Sequence, residues 1–129
     1  MTEIQRIRNR NRQGISQSNR TGLHDGCVRF GKGERLTHIF AKLLIARACK
    51  KSDNEVFTES IFNNGCRADV FVSDDNTVIE VLDSETLEDC ANKLCRYPEG
   101  VTAIVKTAKY WIDKYAGIGV YELLKNQEE

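Results

Sequence analysis

The chain has 129 residues, which is enough for one compact domain with a buried core and too few for two. Its composition, with 40% hydrophobic and 29% charged residues, is that of an ordinary globular protein. The formal net charge is zero, so the total charge by itself predicts no particular partner.

Several classes of protein are disfavoured by the residue content. The longest aliphatic run, Leu43 to Ala46, is too short to span a membrane. The N-terminus lacks the apolar segment of a secretory signal. The five cysteines show no CxxC spacing, which argues against a zinc site and favours reduced thiols. We therefore expect a cytoplasmic protein with no membrane partner.

Residues 1–27 have no hydrophobic periodicity and are rich in Arg, Asn, Gln, Ser and Gly. This composition predicts a flexible arm, followed by a single domain over residues 28–129. Its arginines include Arg8, Arg10 and Arg12.

The first half of the domain begins with an amphipathic helix from Glu34 to Cys49, because its apolar residues recur at helical spacing. A strand is predicted over residues 55–62, and the turn sequence Asn-Asn-Gly follows it. Residues 67–82 then read as a hairpin of two apolar strands around a polar turn.

In the second half, a helix is predicted from Glu85 to Tyr97, where Pro98 stops it. Residues 101–106 form a strand, residues 108–117 a short helix with Gly117 as its C-cap, and residues 118–124 a final strand candidate. The order α-β-β-β-α-β-α-β predicts an α/β fold with a mixed sheet flanked by helices.

The hairpin carries one carboxylate in each strand, Asp69 and Glu80. A turn centred on Asp74 and Asp75 places the two acids opposite each other, about 5 Å apart at Cβ, where like charges repel. A loop of three or five residues would shift this pairing by one. The other pairs of the predicted register are Val72 with Thr77, Phe71 with Val78 and Val70 with Ile79.

Glu80 lies in the segment VIEVL, which reads as a central strand covered on both faces. A carboxylate at such a position is costly unless it is paired, protonated or bound to a cation. One interpretation pairs it with Arg67 or with a lysine of the following helix. The other has Asp69 and Glu80 converge on a divalent metal such as Mg²⁺.

These features resemble the PD-(D/E)XK nuclease superfamily, in which an acid on one strand of a hairpin is followed by Glu-x-Lys on the next. The resemblance implies a restriction-endonuclease-like core of order α-β-β-β-α-β, here from about Gly33 to Lys106. The competence protein CoiA-like branch is the more similar one, and archaeal Holliday-junction resolvases are a second relative. The segments that carry this similarity are GERLTHIFAK (33–42), VFTE (56–59), RADV (67–70), IEV (79–81) and RY (96–97).

The resemblance implies Mg²⁺ or Mn²⁺ as cofactor, held by Asp69 and Glu80 with the Val81 carbonyl. Glu59 and Glu34 would supply a further ligand or orient metal-bound water. Leu82 stands at the position of the motif lysine, and this departure puts catalysis in doubt. Further candidates near the site are Lys42 and Lys93 as replacement lysines, His38 as a proton shuttle, and Arg67, Arg96 and Tyr97 as phosphate contacts. A DNA partner would also make Arg8, Arg10 and Arg12 of the arm candidates for salt-sensitive contacts to phosphates, with a tail without a role as the alternative interpretation.

For these additional residues simpler interpretations stay open. Glu34, His38 and Lys42 fall at i, i+4 and i+8, which also suits a solvated helix face. The basic residues named as phosphate contacts are equally compatible with charged side chains that are exposed to solvent and have no role in binding. The aromatic residues Tyr110, Trp111, Tyr115 and Phe40 favour core or interface packing, since we see no interleaving with basic residues as in single-strand binders.

The expected function is therefore a metal-dependent DNA endonuclease that hydrolyses phosphodiester bonds in DNA repair, recombination or defence, with structure-selective cutting as one option. A homodimer would let so small an enzyme handle two strands. One alternative, favoured by Leu82, is a catalytically degenerate nuclease fold that binds nucleic acid or protein. Another is an α/β domain whose buried acids are internally salt-bridged.

Overall fold

A computed structural model describes residues 1–17, 24–83 and 96–128. Its helices are α1 (Glu3–Arg12), α2 (Leu36–Lys51), α3 (Ala108–Ala116) and α4 (Val120–Gln127). Its strands are β1 (Ile15–Gln17), β2 (Val56–Phe62), β3 (Arg67–Val72), β4 (Thr77–Leu82) and β5 (Thr102–Thr107). Most of the helix predicted over residues 85–97, including Lys93, lies outside the described residues.

The strands form one mixed sheet in the order β1-β2-β3-β4-β5. The pairs β1–β2, β2–β3 and β3–β4 are antiparallel, whereas β5 runs parallel to β4. Helices α2 and α3 pack against the face of the sheet that contains Val56, Val70 and Val81. The prediction of an α/β fold with a mixed sheet flanked by helices is confirmed.

The hairpin of β3 and β4 has the predicted register in all three of its paired positions, from Val72–Thr77 to Val70–Ile79. The predicted Asp69–Glu80 pair does not extend this ladder. Instead, the Asp69 carboxylate accepts the backbone N–H of Val81 at 2.8 Å. A side chain therefore replaces a main-chain ladder bond next to Glu80.

The sheet has a second apolar layer on its opposite face, built around Phe57, Phe62, Phe71 and Val78. Together the two layers bury all six residues of β4, as expected for a central strand. Each large apolar side chain buried here contributes roughly 1.5–3 kcal/mol. Glu80 thus lies in a strand with every residue buried, unlike β2, β3 and β5.

Residues 1–17, predicted as part of a flexible arm, form α1 and β1 in the structure. Thr2 begins α1 with a capping box. Arg8 pairs with Asp74 at 3.0 Å, and the Asn11 amide donates to the Ser73 carbonyl at 2.6 Å. Helix α1 has no buried residues and is held by polar contacts to the β3–β4 turn, so a search for hydrophobic periodicity misses it.

The strand predicted over residues 118–124 is wrong, since α4 occupies Val120–Gln127. Val120, Tyr121 and Leu124 pack against the core at the spacing of one helix face. Gly119 precedes the helix with a φ of 96°, a conformation that favours glycine. The short apolar run therefore follows helical rather than strand periodicity.

Candidate active site

The candidate site begins with a row of three side chains at the N-terminal end of α2. Glu34 lies just before the helix, and its Oε2 is 2.6 Å from His38 Nδ1 and 2.8 Å from Lys42 Nζ. Burial opposes ionisation of Glu34, but hydrogen bonds from Lys42 and His38 outweigh it and lower its pKa. The row suggested by the sequence spacing is therefore a connected charge network.

Lys42 is the most deeply buried charged side chain of this network, with 0% of its surface exposed. Its Nζ donates to the Arg29 carbonyl at 2.7 Å, to Glu34 and to Glu59 Oε1 at 2.9 Å. An ammonium group away from water requires such a set of acceptors. Lys42 thus joins α2 to β2 through two carboxylates.

Glu59 reaches Lys42 because the backbone of β2 is irregular at this residue, where φ is 52°. Phe57 and Phe62 are five residues apart, yet both rings pack on Phe71, at centroid distances of 6.3 and 5.7 Å. In a regular strand, an odd separation places residues on opposite faces. The alternation of β2 side chains between the two faces of the sheet is therefore reversed once between Phe57 and Phe62. This reversal places Glu59 on the face that contacts helix α2.

This irregularity adds no residue to the strand, because Thr58–Val70 and Ser60–Ala68 keep a single register on either side of Glu59. A left-handed conformation of a non-glycine residue is unusual and costs energy. Residues held in this way are concentrated at functional sites. The irregularity at Glu59 lies opposite position 69 of β3, next to the candidate metal ligands.

His38 connects the network to the hairpin. Its Nε2 lies 3.2 Å from the Val81 carbonyl and 3.5 Å from Asp69 Oδ2. Burial by itself would lower the pKa of His38, but Asp69 and Glu34 outweigh that effect and raise it to about 9. The charged imidazole donates to Glu34 and to Val81, so two of the groups expected to hold a metal converge on a histidine.

Glu80 has a different environment from Asp69. It is 2% exposed, and the Tyr97 hydroxyl donates to its Oε1 while lying 2.9 Å from the Arg67 carbonyl. Burial and the negative charge of Glu80 raise the pKa of Tyr97, which keeps the hydroxyl protonated as a donor. Tyr97, expected to contact phosphate, therefore orients a site carboxylate in this structure.

The basic residues expected to contact DNA fall into two groups. Arg8 is bound to Asp74, and Arg12 Nε lies 3.5 Å from Glu55. The other three are exposed: Arg10, Arg67 and Arg96. Arg67 and Arg96 are the ones near Tyr97, because the Arg67 carbonyl is close to its hydroxyl and Arg96 precedes it in the chain.

Six of the seven side chains expected to do chemistry lie among the described residues, and they comprise four carboxylates and two cations when His38 is charged: Glu34, Glu59, Asp69, Glu80, His38 and Lys42. Lys42 binds two of the carboxylates, whereas Asp69 and Glu80 contribute oxygen donors of the kind that Mg²⁺ prefers. Within the described ranges, no three acidic, histidine or cysteine side chains are arranged as ligands of one ion. A hard ion held by Asp69 and Glu80 alone would have to complete its coordination with water.

Sequence reasoning missed one residue that orients the site helix. Glu128 accepts from the backbone N–H of Thr37 at 2.6 Å and from its hydroxyl at 2.7 Å. Arg35, the N-cap residue of α2, provides no side-chain bond of its own. The two partners are 91 residues apart, so no local sequence pattern indicates this cap.

Comparisons of the chain with known protein families, with curated proteins and with solved structures find no match. None of the helices in the described part of the chain is long and apolar enough to cross a membrane.

Proposed function

We propose that this protein is a metal-dependent DNA endonuclease with a restriction-endonuclease-like fold. The observation that carries the proposal is the arrangement of Asp69 and Glu80 on neighbouring strands, where the Asp69 carboxylate replaces the main-chain ladder beside Glu80. The parallel strand β5 next to β4 and the order of the motifs are consistent with the PD-(D/E)XK core that the sequence resembles.

In this proposal Asp69 and Glu80 hold Mg²⁺ or Mn²⁺, which when bound neutralises them and polarises the scissile phosphate. Tyr97 fixes the orientation of Glu80 through its hydroxyl. Glu34 positions His38 beside the Val81 carbonyl, where the imidazole can give or take a proton. These residues act on DNA phosphates rather than on the bases, so the proposal predicts little sequence preference.

Glu59 and Lys42 act as positioning residues in this proposal. Their ion pair holds the irregular part of β2 against α2, and so keeps His38 and Asp69 at their present separation. Leu82 is 4% exposed and apolar, so it cannot take the role of the motif lysine. Lys93, the other replacement named above, lies outside the described residues.

A second candidate is a catalytically degenerate nuclease fold that binds nucleic acid without cutting it. It is favoured by the burial of Leu82 and by the full engagement of Lys42, whose ammonium group is bound to a carbonyl and two carboxylates. This candidate predicts salt-sensitive DNA binding that is independent of divalent metal.

Cleavage assays separate these two candidates. Supercoiled, linear, branched and single-stranded DNA are incubated with the protein and Mg²⁺, Mn²⁺ or EDTA. The nuclease proposal predicts cleavage only with metal, and a loss of about a hundredfold or more in Asp69→Asn and Glu80→Gln, because metal electrostatics supply several kcal/mol. Asp75→Asn, an exposed carboxylate of the adjoining turn, is the matched control.

Metal-dependent cleavage that survives in both variants would show that other residues hold the metal. Absence of cleavage on every DNA form with both metals would contradict the nuclease proposal and favour the binding module.

A further inference from the structure

Helix α3 exposes two aromatic rings between lysines. Tyr110 and Tyr115 are 41% and 38% exposed, and Lys114 Nζ lies 5.8 and 5.4 Å from their ring centroids. Lys106 Nζ lies 5.1 Å from the Tyr110 ring. We call Lys106, Tyr110, Lys114 and Tyr115 the α3 aromatic surface. The prediction that these aromatics are not interleaved with basic residues is therefore wrong for the two tyrosines.

Trp111 gives this surface a rigid base. It is 4% exposed, as expected for core packing, and its ring stacks on Tyr115 at 6.1 Å with an interplanar angle of 10°. It also contacts the edge of Tyr110 at 5.0 Å. Both exposed rings are thus fixed against a buried one, which lowers the entropy lost when a flat ligand stacks on them.

The charge of the surface suits an anionic partner. Lys109, on the same helix, is already bound to Asp113 at 3.2 Å and to Glu122 at 3.0 Å. By contrast, no carboxylate of residues 1–17, 24–83 or 96–128 forms an ion pair with Lys106 or Lys114. These two cations remain available for phosphate groups beside the exposed rings.

The energies favour a stacked base over the present lysine contacts. A base stacked on an aromatic side chain contributes more free energy than an exposed cation–π contact does. A base that displaces the lysine from the ring also frees the ammonium group to bind the adjoining phosphate. Only a single strand can do this, because the bases of a duplex are stacked on each other.

The surface begins next to the candidate active site. Lys106 of β5 is paired with Val81 of β4, and neighbouring strands are about 4.8 Å apart. The backbone of Val81 contacts both Asp69 and His38. A strand of nucleic acid that lies along the α3 aromatic surface is therefore led towards Asp69 and His38.

We propose that the α3 aromatic surface binds single-stranded DNA, so that the substrate contains an unpaired segment beside the phosphodiester that is cut. The link to cutting rests on the proposed nuclease function, whereas the binding itself requires neither metal nor cleavage.

Fluorescence anisotropy in EDTA tests the binding, using a labelled oligothymidylate and a duplex of the same length at fixed ionic strength. The protein is expected to bind the single strand more tightly. Tyr110→Ala/Tyr115→Ala should weaken that binding by at least about tenfold, because two stacking contacts are lost. Tyr110→Phe/Tyr115→Phe, which keeps the rings, should bind within about twofold of the parent protein.

Two further variants test whether the charge of Lys114 contributes to DNA binding. Lys114→Gln should weaken binding and lower its salt dependence, whereas Lys51→Gln, an exposed lysine at the end of α2, should do neither. Equal affinity for single strand and duplex, or unchanged binding by the alanine variant, would overturn the proposal. Equal weakening in the alanine and phenylalanine variants would also overturn it, since stacking does not depend on the hydroxyl.

Cleavage measurements distinguish failure of this inference from failure of the nuclease proposal. Tight single-strand binding in EDTA without cleavage in Mg²⁺ would support DNA binding by the α3 aromatic surface and contradict the nuclease proposal. If Tyr110→Ala/Tyr115→Ala keeps full metal-dependent cleavage of DNA with an unpaired segment, the nuclease proposal is supported. The role of the α3 aromatic surface in binding the substrate is then contradicted.

Discussion

The Lys42 ammonium group lies 2.9 Å from the Glu59 carboxylate, and this pair joins the first helix of the domain to an irregular point in the second strand. Glu34 is the second carboxylate on the same ammonium group and extends the contact to His38. The chain of contacts ends at Asp69, 3.5 Å from His38. The fully buried Lys42 is therefore connected to the candidate metal ligand Asp69 through Glu34 and His38.

Removal of the Lys42 charge should destabilise the fold strongly. Lys42→Met keeps the apolar stem but leaves Glu34 and Glu59 without their shared cation, and breaking a buried pair in this way costs about 3–5 kcal/mol. Urea unfolding should therefore show a large fall in the free energy of unfolding. Lys51→Met, an exposed lysine of the same helix, is the control and should change it by less than about 0.5 kcal/mol. Similar effects of the two substitutions would contradict the role assigned to Lys42.

The left-handed conformation of Glu59 can be tested by a pair of substitutions that both remove the carboxylate. Because glycine adopts a positive φ without steric cost, Glu59→Gly should be more stable than Glu59→Ala by about 1 kcal/mol. In a regular strand the order is reversed, since glycine loses more conformational entropy on folding. Thermal unfolding of the two variants decides between these geometries.

The His38 contacts predict how stability depends on pH in the metal-free protein. Its folded pKa of about 9 lies above the ordinary value of 6.5, so the protonated form stabilises the fold. This contribution is complete below pH 6.5 and disappears as the pH rises through 9, at no more than about 1.4 kcal/mol per pH unit. Unfolding in EDTA across this range should show the decline, and His38→Gln should remove it. The same slope in both proteins would contradict the assigned contacts.

The cap that Glu128 provides for α2 should contribute measurably to stability. Glu128→Ala leaves the Thr37 N–H and hydroxyl without this acceptor, and loss of a helix cap costs about 1 kcal/mol. Glu128→Gln keeps an oxygen acceptor and should lose less. Glu99→Ala, an exposed carboxylate outside the helices, serves as the control. Equal stability of all three variants would show that the cap has no energetic role.

The sequence predicts local features well where a periodic pattern is combined with a turn. The register of the β3–β4 hairpin follows from period-two alternation around a symmetric turn, and three of its pairs are as predicted. Helix α2 is predicted within two residues at each end, because its apolar spacing is regular. Both predictions depend on residues that are close together in the chain.

Other features depend on contacts that no local pattern contains. Helix α1 is held by polar side chains such as Arg8 on the β3–β4 turn, and these leave no hydrophobic periodicity. The reversal at Glu59 is hidden because its residue type does not indicate a positive φ. The convergence of Lys42 on Glu59 requires the relative placement of α2 and β2, which only the folded sheet determines.

The most direct test of the central claim is a crystal structure of the protein soaked in Mn²⁺, with anomalous scattering used to locate the ion. If Asp69 and Glu80 hold the metal of a nuclease, an anomalous peak should lie within bonding distance of an oxygen of each carboxylate, and Asp69→Asn should remove it. A crystal without a peak at this site, in which arginine or lysine side chains neutralise both carboxylates, would contradict that claim.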